Sequence, residues 1–335
     1  MSIEEIAKMM VQKGRGILAA DESTATMSKR LKSVNVECTE SNRLNFRETL
    51  FTAQSMKSNI SGVILFDETI RQKTTSGLSI PELINKSGSI PGIKVDKGAK
   101  PLAGSPEEKI TEGLDGLRER MNEYYKLGAR FAKWRAVFSI KDDFPSEQCI
   151  KSNAHTLARY AAIVQEANMV PIVEPEVLMD GNHSADKCYE VTSKVINVCY
   201  KELIIHKVNL KGTVLKPNMI LPGTDSKQKI TSKEIATKTL ECLKKNVPIE
   251  VPGIAFLSGG QSEIEATKNL NAINKINDTK LNFTFSYGRA LQQTALKTWA
   301  KAMNDKIKVQ KVFDHRAKMN GLSSEAKWSE NLETN

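Results

Sequence analysis

The sequence has few of the residues that build disulfide frameworks and metal centres. Its 335 residues include five cysteines, widely spaced and without a CxxC pair, and only four histidines. We therefore expect no disulfide scaffold, no thiolate metal site and reduced thiols. The histidines, His155, His183, His206 and His315, are scattered and none ends a predicted strand. A catalytic metal is therefore not expected, and no cofactor is predicted.

Long apolar runs and linkers are also absent. No apolar run approaches the roughly 18 residues of a membrane span, and "MSIEEIAKMMVQKGRG" has the pattern of an amphipathic helix, not that of a signal peptide. We expect a cytoplasmic protein without a membrane partner. No proline- or serine-rich linker divides the chain. This predicts one domain over residues 1–320, followed by a polar, flexible tail over residues 321–335.

Acidic residues are outnumbered by basic ones. The 49 lysines and arginines exceed the 39 aspartates and glutamates, so the net charge is +10. Such a charge favours anionic partners, which include nucleic acids, acidic filaments and phosphorylated small molecules. The sequence contains no aromatic and basic module or recognition motif for nucleic acid, so we do not expect a nucleic-acid partner.

Short apolar segments alternate with amphipathic segments along the whole chain. Eight strand candidates, most of them following a glycine or proline, are "GILAAD" (16–21), "GVILF" (62–66), "GIKVD" (92–96), "RFAKWRAVF" (130–138), "VPIVEPEV" (170–177), "GTVLK" (212–216), "GIAFLSG" (253–259) and "FTFSYGR" (283–289). The segments between them carry apolar residues at spacings of three and four, which predicts helices. Eight such repeats predict an α/β fold, a (β/α)8 barrel, although other α/β sheets share this alternation.

Charged side chains accumulate at the carboxyl ends of these strands, where barrels of this kind carry their active sites. They are Asp21, with Ser23 just beyond it, then Lys94 and Asp96, Lys133 and Arg135, Glu174 and Glu176, and Lys216. Residues two apart on a strand point the same way, so Lys133 should share a face with Arg135, and Glu174 with Glu176. Unpaired charge within an apolar strand is costly. These residues therefore form either ion pairs in the core or a functional site, and we favour the site.

Lys216, the last residue of "GTVLK", is the candidate nucleophile. A lysine attacks carbonyl groups when its pKa falls, and a second cation nearby lowers the pKa of a lysine. We expect Lys133 to be that cation. The carboxylates of Asp21, Glu174 and Glu176 could then move protons through carbinolamine, imine and enamine steps. No metal is needed, because the enamine itself stores the electrons.

Two loops near the end of the sequence predict phosphate binding. "FLSGGQS" places small residues before a helix beginning near Gln261, and "SYGRAL" repeats that arrangement; the residues are Ser258, Gly259, Gly260, Ser286, Gly288 and Arg289. Helix starts bind phosphate through backbone N–H groups, and the loops after strands seven and eight are the usual phosphate site of such barrels. Ser23, Arg30 and Lys94 form a second cationic cluster, which solvated surface charge explains nearly as well.

A series of motifs runs through the chain in a fixed order: "GRGILAADEST", "GVILFDET", "GIKVDKG", "GLDGLRER", "FAKWR", "ARYA", "VPIVEPE", "LKPNM", "FLSGGQSEIEA", "NLNAIN" and "FSYGRALQ". In these motifs, and over nearly its whole length, the chain resembles class I fructose-bisphosphate aldolases. The resemblance implies a (β/α)8 homotetramer that reversibly cleaves fructose 1,6-bisphosphate into dihydroxyacetone phosphate and glyceraldehyde 3-phosphate. It also implies fructose 1-phosphate as a second substrate.

The resemblance gives each catalytic candidate a role. Lys216 in "LKPNM" matches the Schiff-base lysine, and Lys133 in "FAKWR" matches the cation that tunes it and polarises the substrate. Asp21 is similar to the carboxylate that positions or deprotonates the hydroxyl next to the cleaved bond. Glu174 resembles the family's main general acid and base, and Glu176 an orienting partner of Lys216.

The resemblance also assigns two phosphate sites. Arg135 lies beside Lys133 in the same motif. The ketone-side phosphate site matches Ser258, Gly259, Gly288 and Arg289, and the aldehyde-side phosphate site matches Ser23, Thr26, Arg30 and Lys94.

The end of the sequence departs from the family pattern. Animal and plant members end in a tyrosine that helps to protonate the enamine, whereas this sequence ends in Asn335 and has no tyrosine after Tyr287. We expect an intact Schiff-base step with slow turnover of the bisphosphate. Two alternatives stay open at this point: an imine-forming aldolase specialised for sugar monophosphates, and a scaffold protein that binds acidic filaments such as actin.

Overall fold

The computed structural model describes residues 1–334. Ten strands are present in that range: β1 Gly16–Ala20, β2 Ile60–Leu65, β3 Ile90–Lys94, β4 Ala99–Leu102, β5 Ser105–Thr111, β6 Phe131–Phe138, β7 Val170–Val177, β8 Val214–Leu215, β9 Gly253–Phe256 and β10 Asn282–Tyr287. Eight of them close a parallel barrel in the order β1-β2-β3-β6-β7-β8-β9-β10. This confirms the predicted (β/α)8 fold.

Helices fill the connections between the strands. They are α1 Ile3–Met10, α2 Thr24–Lys32, α3 Glu40–Phe51, α4 Ser55–Ser58, α5 Asp67–Arg71, α6 Ile80–Lys86, α7 Leu117–Leu127, α8 Glu147–Glu166, α9 Ala185–Ile205, α10 Ser232–Asn246, α11 Glu263–Ile276, α12 Arg289–Lys301 and α13 Lys306–Ser324. Serine or threonine caps most of the longer ones, as Ser146 and Ser184 do for α8 and α9. No helix within residues 1–334 is long and apolar enough to cross a membrane.

The strand before Lys216 is shorter than "GTVLK" predicted. Leu210–Gly212 forms a 3₁₀ helix, and β8 begins only at Val214. The side chain of Asn209 accepts a hydrogen bond from the backbone of Lys211 and stabilises this turn. Lys216 still follows the end of the strand, because its backbone N–H donates to the carbonyl oxygen of Val173 in β7 at 2.8 Å.

An antiparallel hairpin, β4 and β5, was not predicted from the sequence. β4, "AKPL", is short and mostly exposed, and β5, "SPEEKIT", is largely polar, so neither has the sustained alternation of apolar and polar residues that identifies a strand. The hairpin is fixed to the start of α8, where the carboxylate of Glu108 accepts hydrogen bonds from the backbone N–H and the hydroxyl of Ser146. It follows β3 directly and places Ala99 beside the central cavity.

The N-terminal helix α1 closes the amino-terminal end of the barrel. Ile6 and Met10 are buried in an apolar cluster with barrel residues such as Phe131. The contacts at the strand starts are so close that an ideal Cβ on Gly253 would lie 2.7 Å from a methyl group of Val11. The carboxyl-terminal end of the barrel is therefore the end that is open to a substrate.

The chain after residue 320 continues in helix α13 to Ser324, so the predicted domain boundary falls inside a helix. Trp328 is 5% exposed, and the carboxylate of Glu333 accepts hydrogen bonds from Arg316 at 3.0 and 2.6 Å and from the indole of Trp328 at 2.8 Å. The mobility of residues 321–335 stays a prediction.

Candidate active site

A cavity of about 720 Å³ opens at the carboxyl ends of the barrel strands. It brings together nearly all of the site residues predicted from the sequence: Asp21, Ser23, Thr26, Arg30, Lys94, Lys133, Arg135, Glu174, Glu176, Lys216, Ser258, Gly259, Ser286, Gly288 and Arg289. Gly260 lines the adjoining cavity, which also reaches Arg289. The predicted residues therefore converge on one end of the barrel.

Four charged groups form a continuous chain at the floor of this cavity. The Nζ atom of Lys216 lies 3.0 Å from Oε1 of Glu174. The other carboxylate oxygen of Glu174 lies 3.1 Å from Nζ of Lys133, and that ammonium is 2.7 Å from Oδ2 of Asp21. Glu174 thus bridges the two lysines, and every charge in the chain faces an opposite one.

The pKa values within this row of four charged groups depend on burial and on the opposite charges nearby. Burial disfavours the charged form of Asp21, but the ammonium groups of Lys133 and Lys216 outweigh it and lower the pKa of Asp21 to about 2. The same balance lowers the pKa of Glu174. Burial also disfavours the ammonium of Lys133, yet Asp21 and Glu174 raise its pKa above the usual lysine value. In the absence of substrate, the site holds two carboxylates and a firmly charged Lys133.

Arg135 and Glu176 form a separate ion pair on the wall of the cavity. The strands place them together, since Arg135 is in register with Glu174, and Glu176 lies two residues further along β7. The Nε–H group of Arg135 donates to the carboxylate of Glu176. Resemblance matched Glu176 to a partner of Lys216; here Glu176 pairs with Arg135, and Glu174 is the carboxylate that contacts Lys216.

The loop after β9 approaches the cavity closely. An ideal Cβ on Gly259 would lie 3.1 Å from the side chain of Leu257 and 3.2 Å from the carboxylate of Glu176, so a larger residue would require these side chains to shift. Helix α11 begins at Glu263 with Ser262 as its cap, two residues later than the sequence suggested. Ser258 and Gly259 precede this helix and line the cavity, and the carbonyl oxygen of Ser258 accepts a hydrogen bond from the backbone N–H of Gln261 at 3.1 Å.

The loop after β10 lies beside it. Gly288 is the cap of α12, and Arg289 is its first residue. The hydroxyl of Ser286 is buried and has no hydrogen-bond partner within residues 1–334, while Ser286 itself lines the cavity. A buried hydroxyl of this kind is usually satisfied by a ligand or water. Together the two loops offer hydroxyls, backbone N–H groups and a guanidinium to an anion.

The second predicted phosphate cluster comes from the ends of β1 and β3, and β1 pairs with β10 in the barrel. The hydroxyl of Ser23 caps α2 and lies 3.1 Å from the hydroxyl of Thr26. Arg30 forms an ion pair with Glu22, and Nζ of Lys94 lies 2.9 Å from Oδ1 of Asp96. Both cations thus have carboxylate partners, so an incoming anion has to compete with these ion pairs.

The cavity also contains residues that the sequence reasoning missed. These are Glu22, Lys29, Ser33 and Gln293. Glu22 follows Asp21 directly and could have been found from its position at a strand end. Lys29 lies within α2, Ser33 is the C-cap of α2 and Gln293 lies within α12, and only the packing of these helices against the barrel brings the three residues to the cavity.

Comparison with known proteins identifies the family. The model of the family described as "Glycolytic: Fructose-bisphosphate aldolase class-I" matches residues 2–335. The chain belongs to this family. Its reaction is the reversible cleavage of fructose 1,6-bisphosphate to dihydroxyacetone phosphate and glyceraldehyde 3-phosphate, a step of glycolysis and gluconeogenesis.

Individual aldolases resemble the chain over most of its length. A probable fructose-bisphosphate aldolase class 1 from Xylella fastidiosa strain Temecula1 is 52% identical over 332 residues, which are 98% of this chain and 99% of the relative. The cytosolic fructose-bisphosphate aldolase 4 of Arabidopsis thaliana is 54% identical over 308 residues, 92% of this chain and 78% of the relative.

A solved aldolase has the same fold. The fructose-bisphosphate aldolase of Plasmodium falciparum, in a ternary complex with TRAP and a small-molecule inhibitor, superposes with a TM-score of 0.96 at 45% identity. The match covers 98% of this chain and 95% of that aldolase chain.

Proposed function

We propose that Lys216 is the lysine that forms the imine in the aldolase reaction of this chain. The observation that carries the proposal is the carboxylate of Glu174, which contacts the amine of Lys216 with one oxygen and the ammonium of Lys133 with the other. A nucleophile within hydrogen-bond reach of a base, with the base held in turn by a third group, is the usual arrangement for covalent catalysis.

The imine forms in two proton-linked steps. Glu174 accepts the proton that Lys216 loses, and the free amine adds to the ketone carbon of the sugar. Glu174 then returns a proton to the hydroxyl group of the resulting carbinolamine. That hydroxyl group departs as water, and the carbinolamine becomes the imine. Lys133 stays charged and stabilises the negative charge that develops on the carbinolamine oxygen.

Cleavage requires a base on the other side of the sugar. Asp21 is ionised and fixed by Lys133 at 2.7 Å, which suits it to take the proton of the hydroxyl next to the bond that breaks. The bonding electrons pass into the iminium group and leave an enamine, while the aldehyde departs. Proton return to the enamine and addition of water then release the ketone and regenerate Lys216.

Arg135 and Glu176 position the substrate in this proposal. Their ion pair lies on the cavity wall, with the carboxylate of Glu176 beside the phosphate loop at Gly259. Arg135 is partly exposed to the cavity, with 43% of its side chain accessible. It can therefore contact a hydroxyl or phosphate oxygen without losing the contact to Glu176.

Replacement of Lys216 by methionine tests the imine role. Without the amine no imine forms, so we expect kcat for fructose 1,6-bisphosphate to fall by at least about 10⁴-fold. The matched control is Lys126→Met on the outer helix α7, which removes the same charge away from the cavity and should keep the wild-type kcat. A Lys216→Met enzyme within tenfold of wild type would rule out the proposed role.

Kinetics with two substrates, fructose 1,6-bisphosphate and fructose 1-phosphate, can distinguish the roles of the two proposed phosphate sites. Ser258, Gly259, Gly260, Ser286, Gly288 and Arg289 are proposed to hold the ketone-side phosphate, and Ser23, Thr26, Arg30 and Lys94 the aldehyde-side phosphate. We expect Arg289→Met to raise KM for fructose 1,6-bisphosphate and fructose 1-phosphate alike, since both carry the ketone-side phosphate. Lys94→Met should raise KM for the bisphosphate alone. Equal effects of Lys94→Met on both substrates would contradict this assignment and favour an enzyme adapted to monophosphates.

Assembly and location are proposed from the family. A homotetramer is expected, and the exposed isoleucines Ile204 and Ile205 at the end of α9, 58% and 68% accessible, support a contact surface there. A cytoplasmic location is supported by the Arabidopsis relative, which is named a cytosolic isozyme. The single catalytic domain over residues 1–320 with a flexible tail over residues 321–335 remains part of the proposal, and limited proteolysis at Lys327 tests the tail.

Filament binding is a separate partner proposal. Its support is the net charge of +10, which favours acidic surfaces such as that of actin. Co-sedimentation with filaments that weakens with salt and survives Lys216→Met would support it. Absence of the chain from the pellet at low salt would rule it out.

A further inference from the structure

Two histidines that are far apart in the sequence meet on the outside of the barrel. His155 lies in the middle of α8, and His206 follows the last residue of α9. Their rings are 4.9 Å apart, edge to face. Glu202, one turn before His206, lies between them: its Oε2 atom is 3.2 Å from Nδ1 of His155 and 3.7 Å from Nδ1 of His206.

We propose that His155, Glu202 and His206 form a binding site for a divalent transition metal ion such as Zn²⁺, separate from the active site. Two imidazoles and one carboxylate are ligands that Zn²⁺ commonly takes, with a fourth position left for water. One ligand atom from each residue lies within 4.8 Å of the other two. Within residues 1–334 this is the one group of three such side chains that meets that spacing.

The side chains have room to close around an ion. Zinc–ligand distances of about 2.1 Å put tetrahedral ligand atoms roughly 3.4 Å apart, so this site has to contract slightly. His155 is 52% accessible, and Glu202 and His206 are 24% and 22% accessible. Nδ1 of His206 donates to the carbonyl oxygen of Glu202 at 2.8 Å, which fixes that ring over the last turn of α9 and leaves Nε2 of His206 as its ligand atom.

The charge of Glu202 supports a cation at this position. No lysine or arginine nitrogen within residues 1–334 forms an ion pair with Glu202, whose carboxylate contacts the two histidines. Cations do lie nearby, because Arg118 and Arg159 line the cavity of about 460 Å³ that His206 borders. Arg118 is itself paired with Glu166 at 2.8 Å.

A bound ion would join two helices that support the catalytic strands. Helix α8 follows β6, which carries Lys133, and α9 follows β7, which carries Glu174. An ion that binds only the folded chain stabilises it by mass action, so its effect appears as a rise in melting temperature that depends on ion concentration. The ion takes no part in the aldolase chemistry in this proposal.

The test is a titration of the assembled protein, free of any histidine tag, with Zn²⁺ against a chromophoric chelator, and with Co²⁺ followed by absorption. We expect one ion per chain, a tetrahedral Co²⁺ spectrum, and affinity about 10- to 100-fold weaker in His155→Gln, His206→Gln and Glu202→Gln. His315→Gln is the matched control, since His315 lies 3.5 Å from the carboxylate of Glu333 but has no second histidine beside it. It should bind the ion as wild type does.

Aldolase activity shows that each variant is folded, because none of these residues lines the catalytic cavity. The melting temperature should rise with Zn²⁺ in wild type and His315→Gln, and much less in the three site variants. Three results would overturn the proposal. They are no Zn²⁺ binding by wild type, equal affinity in wild type and the His155→Gln/His206→Gln double variant, or unchanged affinity in either single histidine variant.

Discussion

Single residues in the active site depend on one another through alternating charge. Asp21, Lys133, Glu174 and Lys216 form a row in which each group contacts an opposite charge at 2.7 to 3.1 Å. Removal of one member leaves its neighbour buried with a charge that is less well compensated. Substitutions in this row should therefore change stability and its pH dependence as well as catalysis.

Asp21 gives this coupling a measurable pH signature. Its pKa is about 2 in the folded chain against an ordinary value of 3.8, so its ion pair stabilises the fold above about pH 4 and is lost as the pH falls through 2. Between pH 5 and pH 2, we expect the free energy of unfolding of wild type to fall by about 2 kcal/mol more than that of Asp21→Asn, which lacks this carboxylate. Urea denaturation across that range measures it.

The control for that measurement is Asp186→Asn. Asp186 is an exposed carboxylate, 76% accessible, whose ion pair with Lys238 lies on the outside of the barrel. The free energy of unfolding of Asp186→Asn should depend on pH as that of wild type does. If the free energies of wild type and Asp21→Asn fell equally with pH, the ion pairing described for Asp21 would be contradicted.

At the scale of elements, helix α1 and the active site lie at opposite ends of the barrel. The side chain of Met10 is fully buried in the apolar cluster beneath the strands, and its neighbour Met9 is 39% exposed. We expect Met10→Ala to lower the free energy of unfolding by about 2–5 kcal/mol, because it leaves a cavity in that cluster. Met9→Ala should change it by no more than about 0.5 kcal/mol.

Steady-state kinetics complete the comparison of these two variants. Both should keep the wild-type kcat and KM under conditions where they are folded, since α1 does not reach the catalytic cavity. An unchanged stability of Met10→Ala, or a large loss of kcat in the folded variant, would show that α1 has a different role.

The elements that the sequence predicted are those with a strong local pattern. The barrel strands are apolar and follow glycine or proline, so the eight candidates correspond to the eight barrel strands. The hairpin β4 and β5 was missed because β4 is short and β5 is largely polar, and β8 was predicted too long because a 3₁₀ turn replaces its start. The side-chain amide of Gln165 in α8 donates to the carbonyl oxygens of Asn209 and Gly212 at this turn, a contact that the local pattern does not encode.

The same distinction applies to the site. Charges at strand ends were predictable because parallel strands end at one edge of a barrel. The pairing of Arg30 with Glu22, and of Arg135 with Glu176, depends on side-chain direction and could not be read from spacing. The proximity of His155 and His206 depends on how α8 packs against α9.

At the scale of the whole molecule, the proposed tetramer needs an apolar surface. Ile204 and Ile205 are adjacent and exposed at the end of α9. We expect the double variant Ile204→Glu/Ile205→Glu to dissociate to smaller species, because charge in a subunit contact is costly to bury. Sedimentation velocity measures this, with Ile307→Glu, a single isoleucine that is 69% exposed on α13, as the control. Unchanged sedimentation of the double variant would place the contact elsewhere.

The most direct test of the proposed mechanism is borohydride trapping with dihydroxyacetone phosphate, with and without a chelator, followed by mass mapping of peptides. Borohydride reduces an imine to a stable secondary amine, so the substrate carbon skeleton remains on the lysine that formed it. We predict a single adduct on Lys216, equal in amount with and without chelator and absent from Lys216→Met. An adduct on another lysine, or none while dihydroxyacetone phosphate still binds, would contradict the imine role of Lys216.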